Sequence, residues 1–298
     1  MKLRKFIQFE LWQDCFQNCK FCYNYNTIHQ YNNSKKLKNI EFVNNFLKDE
    51  EIKEYNIFGL IGGEFFGGEI GNLEIKGKFV NLINNICSLK NIEQILLTSN
   101  LMYQDNKFLL DICDFVLSKN KKLLICTSYD TIYRFNEITL RYWQDNMKIL
   151  SENNIETHTQ IILSQDFIKK VLNNEFSPIK FSQEYNTTID YSRPNCGWRF
   201  KDKFEMDRLL PNFFLKRKDF IDFLIKGNTE KFIDFDKFLN IGILHSQVLY
   251  QGMGERIIRI EDRDKHNTIL PADDPLKSDY IDSGIRIYDD LGLFKKHL

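Results

Sequence analysis

The chain has 298 residues with 41 Lys+Arg against 41 Asp+Glu, so no overall field gathers polyanions, and long nucleic acid is not favoured as a partner. Hydrophobic residues make up 43% and charged ones 28%, close to globular averages, which excludes a disordered or fibrous chain. No apolar run approaches the ~18 residues that a membrane span needs; the longest, such as Ile57 to Ile61, are strand length.

The 26 Phe, the 13 Tyr and the single Ala, Ala272, follow the codon bias of an AT-rich genome and say little about function. Met1 to Trp12 places basic residues ahead of apolar ones, but Gln8 and Glu10 interrupt the stretch and no small-residue cleavage site follows, so no secretory signal is expected. The cysteine count is odd, seven, and three of them, Cys15, Cys19 and Cys22, fall within eight residues. That crowding does not make a disulfide framework, and the expected location is a reducing cytoplasm.

From residue 7 to about 191, β-rich runs alternate with helix-period segments, the pattern of parallel βα units. The predicted strands are Ile7–Leu11, Asn56–Ile61, Gln94–Thr98, Leu123–Thr127, Thr157–Leu163 and Thr187–Asp190. Between them, apolar residues recur at three- and four-residue steps: Ile40/Val43/Phe46/Leu47, Phe79/Leu82/Ile83/Ile86, Leu109/Ile112/Phe115/Val116 and Leu140/Trp143/Met147/Leu150. These stripes read as core. Right-handed crossovers would wind six parallel strands into an open or partial barrel, with ligands at the C-terminal strand ends.

Past Ser192-Arg193-Pro194 the rhythm changes. A helix is predicted from Pro211 through Phe214, Phe220, Phe223 and Leu224 to Gly227, a second from Thr229 to Leu239, and strand-like pieces at Arg256–Ile260 and Gly284–Tyr288. The expected organisation is a six-stranded partial (β/α)6 barrel over residues 1–195 with a C-terminal α+β subdomain, 196–298, that caps it and meets substrate.

The chemistry centres on Cys15-Phe16-Gln17-Asn18-Cys19-Lys20-Phe21-Cys22, just after the first predicted strand. Three thiolates spaced by three and two residues can wrap one metal centre in a single loop. Zinc would want a fourth ligand, such as His29 or a distant Cys, whereas an iron–sulfur cluster tolerates one iron without a protein ligand; a third reading is buried, inert thiols. The second predicted strand runs into Gly62-Gly63-Glu64, where two glycines allow close backbone approach and Glu64 offers an acceptor for an ammonium. A second copy, Gly67-Gly68-Glu69, follows five residues on; the first is preferred because it continues the strand.

The cysteine triplet, with an aromatic residue, Phe21, before its last Cys, resembles the cluster loop of the radical S-adenosylmethionine superfamily, and Gly62-Gly63-Glu64 resembles that superfamily's motif after the second strand. The resemblance covers about residues 7 to 191. It implies a [4Fe-4S] cluster held by Cys15, Cys19 and Cys22, S-adenosylmethionine on its fourth iron, and an enzyme in which reductive cleavage yields a 5′-deoxyadenosyl radical that abstracts hydrogen from substrate. It further implies that Gly62, Gly63 and Glu64 bind the methionine amino group.

Strand-end residues Ser99, Asn100, Ser128 and Asp130 would contact the ribose or carboxylate, and Arg134 or Arg141 would meet the carboxylate. Their alternative reading is turn and helix-cap chemistry. An external low-potential electron donor of flavodoxin or ferredoxin type is implied as a partner. The substrate, a polypeptide or a nucleotide-like small molecule, stays open, with Arg256, Arg259 and Arg263 as anion contacts. Cys87, Cys113, Cys126 and Cys196 are scattered singly and the five His are isolated. The rival from another class is a zinc or iron–sulfur binding protein without turnover.

Overall fold

Six short β-rich runs each pair with the next in sequence, because each crossover returns the chain to the neighbouring position with a helix on the way. In the computed structural model, β1 is Phe6–Glu10, β2 Ile57–Ile61, β3 Gln94–Thr98, β4 Lys122–Tyr129, β5 Glu156–Ile162 and β6 Thr187–Ser192. The residues described are 6–12, 14–17, 19, 32–67, 72–130, 134–162, 167, 170, 173–192, 258–259 and 286–289. Every neighbouring pair from β1 to β6 is parallel. The helices are α1 (Asn33–Phe46), α2 (Leu73–Ser88), α3 (Lys107–Ser118), α4 (Glu137–Glu152) and α5 (Pro178–Tyr185), with a 3-10 turn at Glu50–Glu54.

The strand order runs β6-β5-β4-β3-β2-β1 without reversal. Such a monotonic order has no topological switch point, and right-handed crossovers then lay all helices on one face. The chain is therefore α/β with a six-stranded parallel sheet alternating with helices, an arrangement compatible with a partial barrel.

Alternation along the strands divides the two faces. Ile7 and Phe9, Phe58 and Leu60, Ile95 and Leu97, and Leu123 and Ile125 are buried in the core that includes Val43, Phe79, Ile112 and Met147 from the helices. Phe9 stacks on Phe58 at 5.4 Å and meets Phe46 of α1 at 5.3 Å. Farther along, Tyr129 and Phe181 lie 4.7 Å apart, and Trp143 of α4 stacks on Phe181 at 5.7 Å. The opposite face carries Gln8, Leu96, Leu124, Cys126, Ser128 and His158, all only half-buried. There Gln8 lies across Gly59 in register, and a Cβ on Gly59 would meet Gln8 Cγ at 2.8 Å.

Asn serves the helix ends. Side chains of Asn32, Asn72 and Asn136 cap α1, α2 and α4 by accepting third-residue N–H groups. Asn120, Asn154 and Asn186, at φ near +50 to +60°, end α3, α4 and α5 in the left-handed conformation where glycine is commonest.

The last third adds two strands, β7 (Ile258–Arg259) and β8 (Arg286–Asp289), where the strand-like pieces Arg256–Ile260 and Gly284–Tyr288 were expected. β8 pairs antiparallel with β1, Ile7 opposite Asp289, and β7 lines up outside it. This part of the chain thus extends the sheet past its β1 edge. The helices expected at Pro211–Gly227 and Thr229–Leu239 lie outside the described residues. Helix α5 went unmarked in the sequence because its eight residues hold too few apolar steps to register; Pro178 at its start and the Ser177 cap were its signals. Among the described residues no helix is long and apolar enough to cross a membrane.

Candidate functional site

Beyond the ends of β1 and β2 the parallel ladder carries on through the loops, and this brings the cysteine segment to the Gly-Gly-Glu segment. Leu11 N–H donates to Ile61 O at 3.0 Å, Gly63 N–H to Trp12 O at 2.8 Å and Glu64 N–H to Asp14 O at 3.0 Å. The Trp12 indole N–H donates to Glu64 O at 2.9 Å. Gly62 owes its lack of a side chain to this contact: a Cβ there would stand 2.5 Å from Trp12 O. Glycine at position 62 therefore has a structural reason of its own, the close approach of the chain's own β1 loop, beside the expected room for a ligand.

Glu64 is fully buried. Its Oε1 accepts from the N–H groups of Phe65 and Phe66, both at 2.9 Å, and from the Ser99 hydroxyl at 3.0 Å; its Oε2 accepts from Asn100 N–H at 2.6 Å. Ser99 has one proton to give, so the Tyr103 hydroxyl, 2.9 Å away, donates to Ser99 Oγ. Glu64, Ser99 and Asn100 thus form a buried junction between the ends of β2 and β3. Their carboxylate, hydroxyl and backbone amide hold one another, a structural use that sequence reading did not anticipate.

Two cysteines of the loop are described. Cys15 Sγ accepts from Gln17 N–H at 3.4 Å and from the Asn100 side-chain amide at 3.5 Å. Cys19 is buried, within electrostatic range of Asp130 and Arg134, which follow β4. Burial pushes its thiol above the ordinary value, the positive charge of Arg134 opposes this, and Asp130 adds to it. Arg134 stacks over the Phe135 ring at 5.9 Å, and its buried Nε has no hydrogen-bond partner among the described residues. Arg141, the other arginine considered, is exposed on α4, 3.8 Å from Asp145, in an outer groove of about 510 Å³ between α4 and the loop after β3. The two arginines therefore differ: Arg134, with its buried Nε, lies within electrostatic range of Cys19, and Arg141 is exposed on α4.

Ser128 is half-buried near the end of β4. Phe21, Cys22, His29, Gly68, Glu69, Cys196, Arg256 and Arg263 lie outside the described residues. Among the described residues no group of three His, Cys, Asp or Glu is placed to hold a metal ion.

One residue that sequence reading missed is Lys36. It is 2% exposed, its Nζ lies 2.7 Å from Asp14 Oδ2, and it sits over the Trp12 ring at 5.4 Å. Asp14 immediately precedes Cys15, so this buried ion pair anchors the entry of the cysteine loop to α1. The signal was in the sequence: Lys36 occupies the same stripe as Ile40, Val43 and Leu47, a cation at a core position.

The isolated thiols behave differently. Burial pushes Cys87 up to about 11 and Cys113 and Cys126 up to about 12, from an ordinary value near 9. Their neutral form is the folded one. Cys87 and Cys113, both buried, should resist iodoacetamide at pH 8 in the native protein and react only in denaturant, as mass spectrometry of labelled peptides would show. Because their folded pKa values lie above the unfolded ones, the stability they contribute is complete below pH 9 and declines as pH rises toward 11–12. Rapid labelling of Cys113 at pH 8 without unfolding would contradict this burial.

The residues described fit the expected groups at three points. Cys15 Sγ already receives two N–H donors, as a thiolate ligand does. Buried Arg134 Nε can receive a carboxylate. The ends of β1 to β4 converge on the cysteine loop. No protein-family model and no curated protein matches this chain.

Proposed function

We propose that this protein is a radical S-adenosylmethionine enzyme in which Cys15, Cys19 and Cys22 hold a [4Fe-4S] cluster. The observation that carries the reading is the convergence at one sheet edge. The cysteine loop leaves β1 hydrogen-bonded to Gly63 and Glu64 after β2, touches Asn100 after β3, and holds Cys19 within electrostatic range of Asp130 and Arg134 after β4. In parallel α/β folds this C-terminal edge is where ligands bind.

Bound there, the cluster and S-adenosylmethionine would supply a 5′-deoxyadenosyl radical able to abstract hydrogen from substrate. The chain's own part is to bind, orient and shield. Arg134 Nε, buried and without a hydrogen-bond partner among the described residues, is the donor for the cofactor carboxylate. Gly62, Gly63 and Glu64 form the wall toward its amino group, and Ser128 and Asp130 line the β4 side. Burial of Cys19, Glu64, Ser99 and Asp130 keeps water from the centre.

In this reading the six parallel strands are a partial barrel, and residues 196–298 form the capping subdomain that meets substrate; the docking of β8 on β1 supports their joining the same sheet. The enzyme would work in the cytoplasm with a flavodoxin- or ferredoxin-type donor.

The test is anaerobic reconstitution followed by iron and sulfide analysis and incubation with S-adenosylmethionine and a low-potential reductant. About four irons per chain and release of 5′-deoxyadenosine are expected. Cys15→Ala, Cys19→Ala and Cys22→Ala should each abolish the cluster, and Cys87→Ala should leave it intact. One zinc per chain with no sulfide would overturn the reading, and a stable cluster without cofactor cleavage would favour a binding protein.

A further inference from the structure

Asn100 makes three hydrogen bonds in three directions, and together they decide which end of its amide faces the cysteine loop. Its backbone N–H donates to Glu64 Oε2 at 2.6 Å. Its Oδ1 accepts from Met102 N–H at 2.7 Å, closing a short turn in which Leu101 takes a positive φ of 57°. An amide whose oxygen is occupied in this way must present its NH2 group on the other side. That group stands 3.5 Å from Cys15 Sγ. Asn100 is 4% exposed, so its amide is largely shielded from water.

We infer that Asn100 is a positioning residue that sets the reduction potential of the cluster held by Cys15, through an N–H···S bond from its side chain, and that it joins the Glu64 junction to that cluster. The inference rests on the functional reading above. Hydrogen bonds to cluster sulfurs are among the levers that set the potential of an iron–sulfur centre. The sign follows from charge. Reduction adds one negative charge, which spreads onto the sulfur ligands, so a donor N–H stabilises the reduced state more than the oxidised one and raises the potential. Gln17 N–H, on the same sulfur at 3.4 Å, comes from the backbone and survives any side-chain change, whereas the Asn100 amide is a donor that substitution can remove.

The experiment is an anaerobic potentiometric titration of the full-length, reconstituted protein, without S-adenosylmethionine, followed by electron paramagnetic resonance of the reduced cluster. Asn100→Ser keeps a hydroxyl to cap the Met102 turn but is too short to reach Sγ. Asn100→Asp is isosteric, keeps the Oδ1 contact, and sets an acceptor where the donor stood. Relative to the parent, Asn100→Ser should be harder to reduce by about tenfold in the equilibrium constant, equivalent to about 59 mV for one electron. Asn100→Asp should be shifted further in the same direction.

A purely structural role would alter melting temperature or iron content and leave the potential of the loaded fraction where it was. Parental potential in either variant, at full iron occupancy, overturns the inference. If Asn100→Ser does not fold, the isosteric Asn100→Asp decides alone. Failure of the functional reading shows earlier and separately, as a parent protein that takes up no cluster, and the inference then falls with it.

Discussion

Replacing Glu64 by Ala should lower the stability of the metal-free protein by about 4 kcal/mol or more, read as a shift of the urea unfolding midpoint. The side chain is fully buried and accepts from Phe65 N–H, Phe66 N–H, Ser99 Oγ–H and Asn100 N–H. A hydrogen bond to a charged group contributes roughly 1.5–3 kcal/mol, and each buried donor left unmade costs about 1–3. Partial collapse of the loops keeps the sum below simple addition. Ser99→Ala removes one donor and spares the rest, so it should cost only about 1–2 kcal/mol. A Glu64→Ala midpoint within 1 kcal/mol of the parent, by the same conversion, would show that the junction does not hold the two loops together. The result also bears on cofactor binding, since weaker binding in this variant reports on Glu64 as a ligand only at temperatures where the variant is folded.

The second large effect is expected at Lys36. Its ammonium is 2.7 Å from Asp14 and almost fully buried. Removing one partner of a buried pair leaves an uncompensated charge and costs about 3–5 kcal/mol. Lys36→Ala also loses the buried aliphatic stem, so Lys36→Met, which keeps an unbranched apolar chain there, isolates the charge. The double variant Lys36→Met/Asp14→Asn should recover part of the loss, because neither side then buries an unpaired charge. Chemical denaturation of the four proteins in a double-mutant cycle measures the coupling. A double variant no more stable than Lys36→Met would mean that the ion pair is not what anchors this end of the cysteine loop. Asp14 adjoins Cys15, so we also expect lower iron retention in Lys36→Met than in the parent.

Hydrophobic period alone located the six parallel strands to within a residue or two at most ends, and the first four helices. Strands appear as short β-rich runs, as in Gln94–Thr98, and amphipathic helices repeat at three and four, as in Phe79 to Ile86; both are local properties of the chain. The spacing of Cys15, Cys19 and Cys22 and the adjacency of Gly62-Gly63-Glu64 to a strand end are local too, so both candidate loops are legible in the amino-acid sequence itself.

What tertiary structure alone decided depends on contacts between residues far apart in the chain. The monotonic strand order is set by which edges pair, and β8 joins β1 across more than 270 residues. Glu64 reads in sequence as an open acceptor, yet Ser99 and Asn100, some 35 positions on, enclose it. Lys36 stands on the apolar stripe of α1 in the sequence, but that its partner is Asp14 is decided only by the fold. That Arg134 lies within electrostatic range of Cys19 while Arg141 is exposed on α4 is likewise a product of the fold. A polar side chain's role follows from the partner it is brought to, and chain-distant partners are specified by the packing of the whole sheet, which no local pattern encodes.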